Sequence, residues 1–193
     1  MEKINTVEMN GAQLIKGAQN GESGKIKGVY TLECFDKDGN LKWADEVQNV
    51  VTNVGKNLTL DTVLAGSTYT VTGPFMGLIS SVSYTGAPVI GDTMTSHGTW
   101  TEAGVTNAPT YSGGRKTCVF SAASAGSKAL STALAFTFTG SGTVKGLFIC
   151  TGTGALSTVD NTAGTLLSAG LFTGGDKVVA STDVINVSYT LSL

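Results

Sequence analysis

Polar and apolar residues alternate most cleanly near the end of the chain. Val184, Asn186, Ser188, Thr190 and Ser192 fall on one parity, and Ile185, Val187, Tyr189, Leu191 and Leu193 on the other. Successive side chains of a strand point to opposite faces, so this period of two predicts a strand that closes the fold. The same period runs through KIKGVYTLECF, residues 25–35. There Val29, Thr31, Glu33 and Phe35 oppose Tyr30, Leu32 and Cys34, a strand with both faces partly covered. DKDGN follows, from Asp36 to Asn40, and its Asp-Gly step turns the chain into LKWADEV, residues 41–47. Two alternating runs around such a step predict a β-hairpin.

Only one segment changes period. In KNLTLDTVLAG, residues 56–66, Leu58, Val63 and Leu64, with Leu60 alongside, line one side of a short helix that Gly66 closes. Beyond it the pattern returns to short β-prone runs joined by glycine-rich connections. These are GPFMGLISSVSY, GAPVIGDTMTSHGTW, RKTCVFSAAS, ALAFTFTGSGTVKGLFICTG, TLLSAGLF and the terminal DVINVSYTLSL. The expected class is all-β: a β-sandwich, jelly-roll or immunoglobulin-like, over residues 25–193, with one short helix. Residues 1–24 lack periodicity and end in a polar turn-rich cluster, which predicts an extended N-terminal arm.

Composition narrows the function classes. Charged residues make up 13% of the 193, about half the usual share. Most of them precede Thr62, and residues 62–91 carry none. A Gly, Ser and Thr-rich stretch so long without charge suits a segment shielded by neighbours better than one facing bulk water. The net charge of −2 offers no basic field to a nucleic-acid backbone. Neither a secretory leader nor a run of about 18 apolar residues occurs, so the expectation is assembly in a cytoplasm, with no membrane partner. Cys34, Cys118 and Cys150 sit singly inside apolar runs, as reduced core thiols do, without the paired spacing of a zinc site.

The chemistry-bearing residues concentrate in GDTMTSHGTWTE, residues 91–102, which holds the sole histidine, His97, among Asp92, Ser96, Trp100 and Glu102. Adjacent Ser96 and His97 do not make a triad, because a base ordinarily reaches its nucleophile from elsewhere in the fold. One histidine without a second nitrogen or sulfur ligand is a poor transition-metal site. The reading that remains is a Gly91-Asp92 turn, a polar loop organised by His97, and a Trp100 anchor into the core. DKDGN has oxygen ligands at alternate positions like part of a calcium loop, but its glycine stands fourth and Val47 twelfth, so a hairpin turn accounts for it. TGSGTVKG and TGTGALS lack the GxxxxGK phosphate-loop pattern. Arg115 and Lys116, the one basic dipeptide, read as a solvated strand end able to bridge to an acidic neighbouring subunit. No residue is assigned to catalysis, a cofactor or a metal; Asp92, His97, Trp100, Glu102, Arg115 and Lys116 stand as candidate loop and interface residues.

The order of phrases NVVTNVGKNLTLDTVLAG, GPFMGLIS, GDTMTSHGTWTE, FTFTGSGTVKGLFIC and GTLLSAGLFTGGDKVV resembles small virion structural proteins of tailed bacteriophages. The resemblance spans about residues 25–193, and the Ser-His to Trp-Thr-Glu loop is its most specific part. It implies a non-enzymatic β-rich accessory protein on the particle: a capsid decoration or cement protein, or a related head-fibre or tail component. The partners it implies are the major capsid protein and further copies of the chain, as a homotrimer or another homo-oligomer. A second expectation, from a different class, is a carbohydrate- or receptor-binding sandwich in which Trp43, Trp100, Tyr84 and Tyr111 stack on sugar rings. A third is a hydrolase that uses His97.

Overall fold

A computed structural model of the chain describes residues 26–64 and 72–192. The arm expected over residues 1–24, and the Gly66 helix stop, lie outside the described residues. The remainder forms two antiparallel sheets packed face to face with one helix, the expected β-sandwich-like, mostly β architecture.

The first sheet grows from the predicted hairpin. Strands β1 (Lys27–Phe35) and β2 (Leu41–Gln48) pair around a turn in which Asp36 Oδ1 accepts from the backbone N–H of Asp38 and Asn40, each at 2.9 Å. Gly39 takes the left-handed conformation there (φ 82°), and these bonds tie the Asp36 carboxylate into the hairpin turn. The terminal strand β12 (Val184–Ser192) pairs with β1 over its whole length, from Lys27 opposite Ser192 to Phe35 opposite Val184. Ile185, Val187 and Tyr189 are buried, as the alternation predicts. Short strands β7 (Ser127–Ala129) and β8 (Leu134–Thr137) complete this sheet along β12.

The second sheet runs β3 (Val50–Val51), β10 (Thr165–Leu171), β9 (Gly142–Thr151), β4 (Phe75–Ser80), β5 (Thr101–Glu102). Strands β6 (Lys116–Thr117) and β11 (Lys177–Val179) pair with β4 and β9. The sandwich core lies between the sheets: Tyr30, Leu32, Val187 and Tyr189 meet Met76, Leu78, Leu147 and Ile149. Tyr30 and Tyr189 pack ring to ring at 4.4 Å, and the Tyr30 hydroxyl lies 3.2 Å from Ser168 Oγ of the opposite sheet. That buried polar contact fixes how one sheet sits over the other, because slippage would leave two hydroxyls unpaired.

Two expectations change. GAPVIGDTMTSHGTW forms no strand; after β4 the chain crosses the outer face of the second sheet as turns and re-enters it at β5. Helix α1 (Asn53–Leu64) exists but begins three residues earlier than its periodicity suggested, and its face is reversed. Thr52 caps it, with Oγ1 accepting from the Gly55 N–H at 3.0 Å and donating to the Leu166 carbonyl. Gly55 is its buried residue, since a Cβ there would stand 2.4 Å from the Leu167 carbonyl oxygen. Leu60, Val63 and Leu64 are exposed instead of buried. The helix meets β10 where Gly55, which has no side chain, lies against Leu167, and its last turn is exposed.

Candidate functional site

Strand β9 explains why a second cluster exists. It is buried on both faces, so Leu147 and Ile149 enter the sandwich core while Phe148 and Cys150 point outward. Outward apolar residues on a central strand need a cover, and residues 81–100 supply it. Met94 and Trp100 close over Ile79, Phe148, Cys150, Leu166 and Ala169. Trp100 is 2% exposed, with its ring centroid 5.4 Å from that of Phe148. The anchor role read from the sequence is what the fold shows.

Polar side chains hold the cover in shape. Trp100 Nε1–H donates to Asp92 Oδ2 at 2.9 Å, and the same oxygen accepts from the Val89 N–H at 3.0 Å. His97 stacks on the indole at 4.0 Å, and its Nδ1 lies 3.0 Å from the Trp100 carbonyl oxygen. A carbonyl can only accept, so Nδ1 carries the proton and His97 organises the loop by bonding to its backbone. Asp92 serves the indole, not the imidazole, and the Ser96 backbone N–H bonds to Thr93 Oγ1 within the turn. The constellation has the residue types of a hydrolase without the relay between them.

Next to the loop lies a buried ion pair. Arg115 Nε donates to Glu102 Oε1 at 2.8 Å and Nη2 to Oε2 at 2.7 Å, a two-point contact with both side chains almost wholly out of water. Arg115 Nη2 also donates to the Asn161 carbonyl at 2.6 Å, and Nη1 to the Leu156 carbonyl at 3.1 Å and Cys150 Sγ at 3.4 Å. Glu102 Oε2 accepts the Asp160 N–H at 2.8 Å. The guanidinium lies 5.3 Å from the Phe148 ring centroid. Burial pushes the Glu102 carboxyl above its ordinary range and the guanidinium works against that push. Burial likewise disfavours the Arg115 charge, but the carboxylate more than compensates and holds its pKa up.

This corrects the expectation of a solvated Arg115-Lys116 strand end bridging to another subunit. Arg115 is 2% exposed, and its acid is Glu102 of the same chain. Neighbouring strand residues point to opposite faces. Lys116 accordingly turns the other way, its ammonium 5.7 and 5.6 Å from the Tyr111 and Phe136 ring centroids. Asp92, His97, Trp100, Glu102 and Arg115 therefore meet in one layer, and Lys116 does not join them. Sequence reasoning missed Gly77, Phe148, Asp160 and Asn161. Gly77 had a readable signal, as a glycine inside an apolar strand marks a close approach. A Cβ there would meet Phe148 at 2.4 Å and Glu102 Oε1 at 2.9 Å.

Two hollows open nearby. A cavity of about 140 Å³ beside the ion pair is lined by His97, Thr101, Asn107, Asp160, Asn161 and Thr162 with the pair itself. A broader depression of about 590 Å³ lies on the outer face of the first sheet, among Thr31, Glu33, Glu46, Asn186 and Ser188. Of the four aromatic residues considered for sugar stacking, Trp100 and Tyr111 are buried; Trp43 packs on Phe172, and Tyr84 lies under the Lys145 ammonium. Burial raises all three thiols, Cys34 to about 11 and Cys118 to about 12, as it does for thiols packed in a core. Among the described residues no three His, Cys, Asp or Glu side chains group as metal ligands. Against protein-family models, curated proteins and solved structures, the chain has no match.

Proposed function

We propose that the chain is a non-enzymatic structural protein of a tailed-phage particle, a capsid decoration or cement protein that binds the assembled shell across subunit seams. The observation that carries this reading is how the polar residues of the 91–115 region are used. The Asp92 and Glu102 carboxylates and all three guanidinium nitrogens of Arg115 bond within the chain, which builds a rigid loop layer and leaves no relay for chemistry. A charge-poor chain with exposed apolar positions agrees with life in an assembly.

The mechanism is mechanical. A shell under internal pressure fails where subunits part, and a protein that binds the assembled lattice more tightly than free subunits opposes that parting. Each copy contributes a few kcal/mol, and many copies act together, with residues 1–24 adding a second attachment point. The partners are the major capsid protein and other copies of this chain, at the virion surface after assembly in a host cytoplasm.

Co-sedimentation with purified shells tests the proposal. Saturable binding at hundreds of copies per head supports it, about a dozen copies points to a tail or head-fibre component, and no binding defeats it. Deleting Met1 to Gly24 is expected to weaken binding, and undiminished binding removes that segment from the mechanism. The polar hollow on the first sheet favours a second reading, a glycan- or receptor-binding module. Glycan-array binding that is lost on Asn186→Ala, with no shell binding, decides for it.

A further inference from the structure

Strand β1 joins residues 1–25 to the fold, and it stands inside the first sheet, not at its edge. β12 pairs with it over its whole length on one side, and β2 pairs with it from Val29 to Phe35 on the other. The ladder bonds of antiparallel strands run perpendicular to the strands. A pull along β1 therefore loads the whole ladder at once, whereas a pull across one end opens it pair by pair. The core also opposes movement of β1 along its own axis. Tyr30, Leu32 and Cys34 are buried between the sheets, and a slip of one residue would bring Thr31 and Glu33 to that face.

The root of the strand carries a polar clamp. The Gly28 N–H donates to Asn49 Oδ1 at 2.8 Å, and the Gly28 carbonyl accepts from the Asn49 N–H at 3.1 Å. Asn49 Nδ2 donates to the Tyr189 hydroxyl at 3.0 Å. One residue thus ties the start of β1 to β12, next to the point where residues 1–25 enter. Position 28 needs glycine for this, since a Cβ there would run into the Tyr189 hydroxyl and the Asn49 amide.

We propose that β1 and the Asn49 clamp form a tension anchor, in which a pull that enters through residues 1–25 is carried in shear by the β1–β12 ladder. The register gives the anchor a direction. Lys27 lies opposite Ser192 and Phe35 opposite Val184, so β1 starts at the end of the ladder where β12 finishes. Tension between residues 1–25 and the far end of the sheet, where β12 begins, loads the strands in shear. Tension between the N-terminal segment and the end of β12 meets the same pair from one side and unzips it. An attachment that resists parting needs the first geometry, and the topology supplies it to a sandwich held at its far end.

This rests on the attachment role given to residues 1–24 in the proposed function, but it is tested without any shell, so the two can fail separately. The experiment is single-molecule pulling of the full chain, with one handle before Met1 and the other either at Ser181→Cys or after Leu193. Ser181 is exposed and precedes β12, and the native thiols are buried, so the handle attaches at residue 181. The rupture force is expected to be higher with the Ser181→Cys handle than with the handle after Leu193, and equal forces overturn the proposal. Asn49→Ala and, independently, Gly28→Ala are expected to lower the force in the Ser181→Cys geometry, and Asn49→Asp, which keeps an acceptor for the Gly28 N–H, to recover part of it. Forced unfolding follows the barrier to unfolding and not overall stability. Trp100→Ala, which acts on the outer face of the second sheet, is therefore expected to leave that force unchanged. A force untouched by both clamp variants, or one that falls as far in Trp100→Ala as in Asn49→Ala, overturns the anchor.

Discussion

The two faces of the second sheet are covered in different ways. The inner face meets the first sheet mostly through strand side chains, with Ala103, Tyr111, Cys118, Phe138, Val159 and Phe172 added from the connections. The outer face is covered by a segment without strands, and there an indole bonds to a carboxylate and a guanidinium grips another. Strands bring their backbone hydrogen bonds with them, so the inside is mostly apolar contact, with the Tyr30–Ser168 hydroxyl pair as a polar point between the sheets. A covering loop must satisfy its own polar groups at the same time as it excludes water, so it carries buried polar side chains. The outer layer thus depends on few residues and is sensitive to each.

The largest effects are expected where removal leaves a buried partner alone. Arg115→Met strands the Glu102 carboxylate and is expected to cost about 3–5 kcal/mol in urea unfolding. The double variant Arg115→Met with Glu102→Leu is expected to recover part of that loss, and a double variant that loses more than both single variants together would show that the pair is not the cause. Trp100→Ala is expected to cost about 3–5 kcal/mol through the cavity it opens over Phe148. Labelling of native thiols then separates the faces: Cys150 belongs to the outer layer, Cys34 and Cys118 to the inner core. In Trp100→Ala, Cys150 is expected to react well ahead of the other two, and equal rates for all three would erase the distinction.

Smaller effects follow for groups with one buried bond or a wet side. Asp92→Ala removes the acceptor of the Trp100 and Val89 N–H groups and is expected to cost about 1–3 kcal/mol. His97→Ala loses one hydrogen bond and a stacked face that is partly in water and is expected to cost about 1 kcal/mol in urea unfolding. The smallest change is with pH. Burial pushes the Asp45 carboxyl up, but the Lys177 ammonium and the Glu46 and Gly174 N–H groups outweigh it and hold the pKa below the ordinary value. The folded state therefore binds that proton less tightly than the unfolded chain. Its contribution is complete above about pH 4 and is lost as pH falls through the lowered value. Asp45→Asn is expected to flatten that part of the stability–pH curve, and an unchanged curve would assign the slope to other carboxylates.

Local alternation was enough for the β1–β2 hairpin and for β12, because period-two burial is written in consecutive residues. Trp100 as an anchor and His97 as a loop organiser were legible too, since both act within a dozen residues of Asp92. The helix face misled for a physical reason. Periodicity shows which side chains share a side, but not whether anything lies beneath them, and the sheet meets α1 at Gly55. Arg115 misled similarly: a basic dipeptide reads as solvated until a partner is known, and Glu102 stands thirteen residues away across a loop.

The sequence by itself determined the two-sheet class, the hairpin turn at Asp36–Asn40, and the packed state of the thiols, since each rests on side-chain period or on near neighbours. Only the tertiary structure decided that β9 is buried on both faces and that Gly77 makes room for Phe148 and Glu102. It also brought Leu156, Asp160 and Asn161 around Arg115 from more than forty residues along the chain. Those contacts depend on which strands become neighbours, a choice made by burial summed over the whole fold and carried by no single segment.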